Sequence, residues 1–320
     1  MPDEALVRVL RDAWDLAIAS VEYRPVGFGS HHWEVRDSNG ARWFVTVDDL
    51  DGKIQSPEDT RAEAFGRLRA ALATALRLSD LGATFVVAPI PTLAGEPLVW
   101  AHRQFGVALY PFVEGESYSW GVFSTPAHRQ GVLDLLVALH SAGDAASRNA
   151  IEDDFVIPQR AALERPNPGD PSTGPYATWA SRLLAKNRRA IHLVLERYDD
   201  LAGDVARLAQ RPVLTHGEPH PGNTMLTSSG WVLVDWDTVM LAPPERDLWS
   251  MDPGDGSVLA AYAHATGRSA LPAALDLYRI RWDLADMAAC FSQFQRPHSG
   301  NLDDEKTWEL LRSLVERLSA

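Results

Sequence analysis

Cysteine is almost absent from the chain: Cys290 is the single one among 320 residues. One thiol can form neither an internal disulfide nor a cluster of thiolate metal ligands, so a disulfide-stabilised fold and a cysteine-based metal site are excluded. Because Cys290 lies in the apolar stretch MAACF, we expect it to be a core residue.

Long apolar segments are also lacking. No stretch approaches the roughly 20 apolar residues that cross a bilayer, so we predict no membrane span. The first 20 residues carry acidic side chains early and contain no long apolar run, unlike a secretory signal. They predict an amphipathic helix, and we expect a cytoplasmic protein.

The chain has no excess of positive charge. It contains 30 Lys and Arg against 43 Asp and Glu, a formal net charge of −13. Nucleic acids and anionic membranes bind clustered Lys and Arg, so both are disfavoured as partners. The acidity suits a cationic small-molecule substrate, although it also serves solubility alone.

Strand and helix patterns divide the chain into two parts. Alternating β-branched and aromatic residues predict antiparallel strands within 21–49 and 85–115, with a helix between them at 60–78. Helices dominate after Thr125, over 128–142, over 178–210 and from Pro272 onward. These patterns predict an N-terminal lobe of residues 1–114, a C-terminal lobe of residues 115–320, and a cleft between them.

The segment VLTHGEPHPGNTMLTSSGWVLVDWD carries the most chemistry. Glu218 and Asn223 share a loop, and Asp235 follows at the far end of the second strand of a predicted hairpin. Because a hairpin brings its ends together, we expect Asp235 close to Asn223, where a carboxylate and an amide oxygen can share Mg²⁺. Phosphoryl transfer uses such a metal site together with a carboxylate that accepts the proton of the attacking hydroxyl.

This segment resembles the catalytic and metal-binding loops of the aminoglycoside phosphotransferase family. The family pattern is His-Gly-Asp, then Asn five residues on, then a hairpin that ends in an Asp-containing apolar strand. The resemblance implies an α+β, protein-kinase-like, two-lobe fold, with a small antiparallel-sheet N-lobe and a larger, mainly helical C-lobe. It implies Glu218 as the catalytic base, Asn223 and Asp235 as Mg²⁺ ligands, and ATP or GTP as the phosphate donor.

The same resemblance assigns a supporting role to Asp247, in the stretch APPERDLW. Glu218 stands where the family has aspartate; it keeps the carboxylate and adds one methylene, which shifts the geometry of the base. The alternative is that HGEPHPGN is an ordinary surface turn, since Gly, Pro and Asn are common turn residues.

Two segments of the first lobe resemble nucleotide-contacting parts of the family. Gly27, Gly29 and Ser30, in a Gly-Phe-Gly-Ser stretch between strands, match a loop whose backbone approaches phosphates, although a plain turn explains them as well. Tyr110 and Phe112 fall where the family joins its lobes and where adenine bonds to the backbone.

Thr46 departs from the family pattern, because the family usually has a phosphate-contacting lysine at this place. Threonine cannot supply the charge. Lys53, Arg42 or His32 are the candidates to replace it; otherwise the donor is not ATP. Glu63 lies on the helix that in the family carries the glutamate paired with this lysine, and a solvated helix face is an equal explanation.

Asp283 and Asp286 are the predicted acceptor-binding residues. Three residues apart, they share one face of a predicted helix. A pair of carboxylates at a cleft would bind a cationic acceptor, whereas ion pairs with Arg279 and Arg281 or simple solvation are the alternative. Four tryptophans could stack on a ring, but large aromatics at such spacing are usually core residues: Trp179, Trp236, Trp249 and Trp282.

The leading functional prediction is transfer of a nucleoside triphosphate's γ-phosphate to a hydroxyl of a small cationic molecule, such as an aminoglycoside or aminocyclitol antibiotic, as in antibiotic resistance. A metabolic kinase acting on choline, homoserine or methylthioribose is the second hypothesis. A catalytically silent, pseudokinase-like binding module is the third. The sequence makes no prediction of oligomeric state.

Overall fold

The computed structural model describes residues 1–27, 29–208 and 211–319. Within these residues, the strands form sheets of five, three and two strands. The strands are β1 (Ile18–Arg24), β2 (Ser30–Asp37), β3 (Arg42–Asp49), β4 (Val99–Ala101), β5 (Phe105–Pro111), β6 (Glu116–Ser117), β7 (Val213–Thr215), β8 (Thr224–Thr227), β9 (Gly230–Leu233) and β10 (Met240–Ala242).

Helices occupy much of the remaining chain. They are α1 (Asp3–Trp14), α2 (Arg61–Asp80), α3 (Pro126–His140), α4 (Arg160–Glu164), α5 (Ala177–Lys186), α6 (Arg188–Leu208), α7 (Glu245–Leu248), α8 (Ser257–Thr266), α9 (Pro272–Phe294) and α10 (Leu302–Ser319). No helix of the described residues is long and apolar enough to cross a membrane.

The chain divides into two compact units that are discontinuous in sequence. Unit 1 comprises Met1–Lys53, Thr60–Asp153 and Arg211–Ala270; unit 2 comprises Ile54–Asp59, Asp154–Gln210 and Leu271–Ala320. The lobe boundary at residue 114, taken from the sequence, stays a prediction.

The five-stranded sheet of unit 1 has the antiparallel order β1-β2-β3-β5-β4. Helix α1 covers one of its faces, and Leu6 and Leu10 join a buried cluster with Val45 of the sheet. The predicted amphipathic helix is confirmed, but its predicted extent to residue 20 is wrong. Asp15 adopts a left-handed conformation (φ 56°) that ends the helix, and the chain continues as β1.

Helix α2 packs on the same sheet through a second cluster. Its Leu68 and Leu72 contact Leu98 and Ala108. A capping box fixes its start, because Thr60 accepts from the backbone N–H of Glu63 and the Glu63 carboxylate accepts from the backbone N–H of Thr60. The predicted helix at 60–78 is therefore confirmed, with an end at Asp80.

The predicted hairpin is confirmed as β8 and β9. Their register pairs Thr224 with Leu233 at the open end and Thr227 with Gly230 at the turn. Strand β9 ends at Leu233, so Asp235 lies two residues beyond the strand rather than at its end. The hairpin still brings these residues back to the loop that precedes β8.

Unit 2 is built from α4, α5, α6, α9 and α10 around a single buried cluster that includes Leu184, Leu277 and Phe291. The helical stretch predicted over 178–210 is confirmed as two helices, α5 and α6, which Asn187 separates; residues 209 and 210 lie outside the described residues. The side-chain amide of Asn187 donates to the Leu183 carbonyl at 2.9 Å, and such local side-chain bonds compete with the regular helical pattern.

Glu34, a buried carboxylate of β2, accepts from Arg24 at 2.6 Å and from Arg36 and Arg42 at 2.9 Å each. The hydrogen bonds from Arg42 and Arg24 lower the pKa of Glu34 to about 2. A carboxylate with a lowered folded-state pKa stabilises the fold above its unfolded pKa, and this contribution falls as the pH drops toward 2.

We predict that Glu34→Gln lowers the free energy of unfolding by about 1–2 kcal/mol at pH 7, because the partly exposed guanidinium groups are screened by solvent. Denaturant unfolding at pH 7 and at pH 3 measures the loss, which should shrink at pH 3. Glu22→Gln is the control, since Glu22 forms only an exposed pair with Arg24. A deficit that is independent of pH would contradict this account.

Candidate active site

The loop that follows β7 is tied to a buried carboxylate. Asp247 of α7 accepts from the backbone N–H groups of His216 at 2.9 Å and Gly217 at 2.6 Å. Burial alone would raise the pKa of Asp247, but the hydrogen bond and charge of His140 and the charge of Arg246 lower it below its usual value. Asp247 is therefore ionised where it holds the loop, as its predicted supporting role requires.

Gly217 is required by the conformation of this loop. Its φ is +100°, and a Cβ atom there would clash with the guanidinium group of Arg246. That guanidinium donates to Thr215 Oγ1 and to the Thr238 carbonyl at 2.9 Å each. Because glycine has no side chain, it leaves room for the buried Arg246 guanidinium, which bonds to Thr215 before the loop and to Thr238 after the hairpin.

His216 links the loop to the residues that follow β9. Its Nδ1 accepts from the backbone N–H of Glu218 at 3.3 Å, and its Nε2 donates to the Val234 carbonyl at 2.9 Å. These two bonds assign the neutral tautomer with the proton on Nε2. Burial lowers the pKa of His216, which favours the same neutral form.

Asn223 ties Glu218 to the open end of the hairpin. Its side-chain amide donates to the Glu218 carbonyl at 3.0 Å, and its own carbonyl accepts from the backbone N–H of Val234 at 3.0 Å. The side-chain oxygen Oδ1 of Asn223 has no hydrogen-bond donor among the described residues. It is therefore available to a ligand.

Asp235 has a backbone conformation that non-glycine residues adopt infrequently, with φ 65°. Part of its surface is exposed to solvent. The surrounding protein still removes hydration from the carboxylate, and this loss and the negative charges of Asp237 and Glu218 raise the pKa of Asp235 well above its usual value. A bound cation would reverse this charge repulsion.

The donor set around Asn223 and Asp235 fits a magnesium ion. Amide and carboxylate oxygens are the hard ligands that Mg²⁺ prefers, and it commonly takes one or two carboxylates together with water and phosphate oxygens. The described residues contain no group of three or more His, Cys, Asp or Glu side chains that could hold a metal.

Lys53 lies between two carboxylates. Its Nζ is 2.7 Å from Asp237 Oδ2 and 3.0 Å from Asp48 Oδ1. Burial alone would lower the pKa of Lys53, but Asp237 and Asp48 raise it well above its usual value. Asp48 also accepts from Ser30 Oγ at 2.6 Å, so one buried carboxylate joins the lysine to the predicted glycine loop.

The other candidates for the missing lysine are differently placed. Arg42 pairs with Glu34 at 2.9 Å and lies over the Phe112 ring, 3.5 Å from its centroid. His32 is within hydrogen-bond distance of Thr46, with Nδ1 3.3 Å from Oγ1. Of these candidates, Lys53 has the contact with Asp237.

Glu63 has a different role from the lysine-binding glutamate of the family pattern. Its carboxylate accepts from the Thr60 backbone N–H and Oγ1 at 2.8 Å each, as part of the α2 capping box. The carboxylates that contact Lys53 are Asp48 and Asp237. The sequence does not predict either contact, because Asp48 and Asp237 are 189 positions apart and share no local sequence pattern.

The predicted nucleotide-binding residues lie in the five-stranded sheet or next to its strands in the chain. Gly27 and Gly29 have φ values of +72° and +87°, conformations that glycine adopts more readily than other residues. Phe28 lies outside the described residues. Tyr110 pairs with Phe44 in the sheet. Burial and the negative charges of three nearby aspartates raise the pKa of Tyr110 well above its usual value: Asp48, Asp235 and Asp237.

The predicted acceptor residues, Asp283 and Asp286, lie on α9 in unit 2. Asp283 accepts from Arg317 of α10 at 2.8 Å, an ion pair that the sequence did not suggest. Their substrate-binding role stays a prediction.

Trp236 is fully buried, with its indole N–H bonded to the Leu233 carbonyl, so it is a core residue and cannot stack on a ligand.

Comparison with known proteins shows the family of this chain. Residues 21–290 match the model of the phosphotransferase enzyme family. The chain belongs to this family. Protein StrN of Streptomyces griseus is 29% identical to this phosphotransferase over 311 residues, which cover 93% of this chain and 86% of StrN.

Two solved structures show the fold of this phosphotransferase. Spectinomycin phosphotransferase APH(9)-Ia, in complex with ADP and spectinomycin, is similar with a TM-score of 0.68 at 18% identity, over 100% of this chain and 98% of that chain. Choline kinase LicA from Streptococcus pneumoniae gives a TM-score of 0.61 at 14% identity, over 99% and 98%. The predicted α+β, protein-kinase-like, two-lobe fold is confirmed.

We predict that Asp247→Asn lowers the free energy of unfolding of this phosphotransferase by about 2–4 kcal/mol. An amide is neutral and offers one oxygen, so the N–H groups of His216 and Gly217 both lose a charged acceptor and one of them is left without an acceptor. Urea unfolding measures the effect. Asp134→Asn is the control, because Asp134 is exposed on α3 and its partner is the Gln130 side chain. Equal effects of the two substitutions would contradict the role of Asp247.

Proposed function

We propose that this chain transfers the γ-phosphoryl group of ATP or GTP to a hydroxyl of a small cationic molecule, with Mg²⁺ as cofactor. An aminoglycoside or aminocyclitol antibiotic is the proposed acceptor class. Membership of the phosphotransferase enzyme family supports the reaction class. The ADP and spectinomycin bound in the similar structure support the nucleotide and the acceptor class.

One observation carries the proposal: the open end of the β8–β9 hairpin joins the loop of Glu218 and Asn223 to the segment that carries Asp235. Asn223 bonds through its side chain to the Glu218 carbonyl and through its backbone to Val234, the residue before Asp235. The proposed proton acceptor and the two proposed metal ligands therefore lie at the same end of the hairpin. Positioning of this kind supplies most of the catalysis in phosphoryl transfer.

In the proposed reaction, the acceptor hydroxyl oxygen forms a bond to the γ-phosphorus. The bond from that phosphorus to the β–γ bridging oxygen breaks, and the nucleoside diphosphate leaves with the electron pair. Glu218 accepts the hydroxyl proton. Asn223 and Asp235 would hold Mg²⁺, which neutralises the charge on the phosphate oxygens when bound.

On the nucleotide side, we assign the phosphates to Gly27, Gly29, Ser30 and Lys53. Lys53 is the single lysine in unit 1, because the other two lysines of the chain are Lys186 and Lys306. Its contact with Asp237 supports a position near the phosphates. We assign adenine, or guanine, to the backbone of the segment that carries Tyr110 and Phe112.

Two departures from the family pattern keep a catalytically silent binding module as an alternative. Such a module would tolerate both the threonine at position 46 and the glutamate at position 218. A metabolic kinase for choline, homoserine or methylthioribose would use the same site with a different acceptor, and Asp283 and Asp286 stay predicted acceptor contacts. Transfer of labelled γ-phosphate to a panel of these compounds and aminoglycosides separates the readings.

We predict that Glu218→Gln lowers kcat about 10²–10⁴-fold with little change in nucleotide affinity, because the amide cannot accept the hydroxyl proton. Glu218→Asp should retain measurable turnover. Nucleoside diphosphate release and calorimetric binding of Mg²⁺-nucleotide measure the two quantities. Undiminished turnover by Glu218→Gln would remove Glu218 from its role, and equal loss in Glu218→Asp would show that its length matters more than its charge.

We predict that Lys53→Met weakens binding of ATP by about 10–100-fold, since a charge-assisted contact to phosphate is lost. The double variant Thr46→Lys/Lys53→Met should recover part of that affinity by restoring a lysine at the family position. Lys186→Met, in unit 2, is the control. If Lys53→Met binds ATP as tightly as the unaltered protein, the ion pairs of Lys53 are structural alone.

A further inference from the structure

The segment 118–124, which we name the 118–124 loop, connects β6 to α3 and is anchored at both ends on one side chain. The ring of Tyr118 lies 4.2 Å from that of His128, and the ring of Phe123 lies 5.0 Å from it on an edge-to-face contact. His128 is buried and stacked on Trp231, with centroids 4.3 Å apart and planes 3° from parallel. The loop ends are therefore fixed by packing.

Between these anchors the loop presents two large apolar side chains to solvent. Trp120 is 70% exposed and Val122 is 88% exposed. Gly121 separates them with a φ of +133°, a conformation that favours glycine. Binding residues are concentrated on loops that a rigid scaffold positions, so the exposed Trp120 side chain is a candidate for contact with a ligand.

The exposed indole borders the candidate base. Strand β6 pairs with β8, which begins at Thr224, directly after the loop that carries Glu218. The Trp120 ring lies edge-on to that of His220, with centroids 6.4 Å apart. His220 Nε2 is in turn 3.8 Å from Glu218 Oε2. A Cβ atom on Gly222 would lie 3.3 Å from the backbone nitrogen of Trp120, so the two loops are in close contact.

Two carboxylates and one guanidinium group lie near the 118–124 loop. Glu116 is exposed on β6 at one end of the loop, and Glu218 lies beyond His220. Arg129 stands at the other end, over the Phe123 ring at 5.7 Å from its centroid. An aromatic face beside carboxylates attracts a cation and packs against the apolar face of a ring.

We propose that Trp120 is a specificity-determining residue of the acceptor site. Its indole packs on the apolar face of the ring of an aminoglycoside or aminocyclitol acceptor, while one hydroxyl of that ring meets Glu218. The inference rests on the proposed phosphotransferase function and assigns recognition of the acceptor ring to one residue. Acyclic amino alcohols, which have no ring face, are then poor acceptors.

The test measures phosphate transfer from ATP to two sets of compounds. Spectinomycin, kanamycin and 2-deoxystreptamine are the ring amines, and choline and 1-amino-2-propanol are the acyclic amino alcohols. We expect transfer to at least one ring amine and little to the acyclic set. For the accepted ring amine, Trp120→Ala should raise KM about tenfold or more with kcat within about threefold. Trp120→Phe should recover part of the loss.

Trp100→Ala is the matched control, because Trp100 is a partly exposed tryptophan of unit 1 that stacks on Phe65 instead. Binding of Mg²⁺-nucleotide and slow hydrolysis of ATP by the unaltered protein report on the proposed function separately. If both occur but only acyclic amino alcohols are phosphorylated, or no ring amine is, the inference is overturned. An unchanged KM in Trp120→Ala, or an equal rise in Trp100→Ala, also overturns it.

Discussion

One neutral imidazole determines how the candidate site is arranged. His216 accepts from the Glu218 backbone N–H and donates to the Val234 carbonyl, so it fixes the distance between the proposed base and the proposed metal ligand Asp235. A protonated ring would carry a hydrogen on both nitrogens and would repel the Glu218 N–H. Burial keeps the imidazole neutral by lowering its pKa.

The support beneath His216 is electrostatic as well as steric. Asp247 accepts from the loop backbone, and His140 Nε2 lies 3.0 Å from Asp247 Oδ2 while its Nδ1 lies 2.9 Å from the Tyr262 hydroxyl. A buried carboxylate with satisfied hydrogen bonds is stable where an unpaired one is not. The rigidity of the loop therefore comes from a polar network within the core of unit 1.

The distribution of charge suits the proposed binding of a cation and a nucleotide. Asp235, Asp237 and Glu218 repel one another electrostatically, while Lys53 is the single ammonium group among them. In the proposed arrangement, Lys53 from the turn after β3 supplies the charge that Thr46 cannot supply. Asp48, which contacts Lys53, would then take the place of the helix glutamate of the family pattern.

Local patterns in the sequence predicted much of this arrangement. The hairpin, the proximity of Asn223 to the residues around Asp235, and the first helices follow from alternation, turn residues and helical spacing. The contacts of Lys53 with Asp48 and Asp237 could not be predicted, because they join segments far apart in the chain. The same holds for Trp120, whose exposure depends on packing of its loop ends against His128. Asp283 and Asp286 share a helix face as predicted, yet the Arg317 partner of Asp283 comes from another helix.

The position of the metal tests the central claim most directly. A crystal grown with Mn²⁺ and a non-hydrolysable ATP analogue can be measured at a wavelength where manganese scatters anomalously. The account predicts an anomalous peak within about 2.3 Å of both Asn223 Oδ1 and an Asp235 carboxylate oxygen. A nucleotide-bound structure whose manganese contacts neither residue would contradict it.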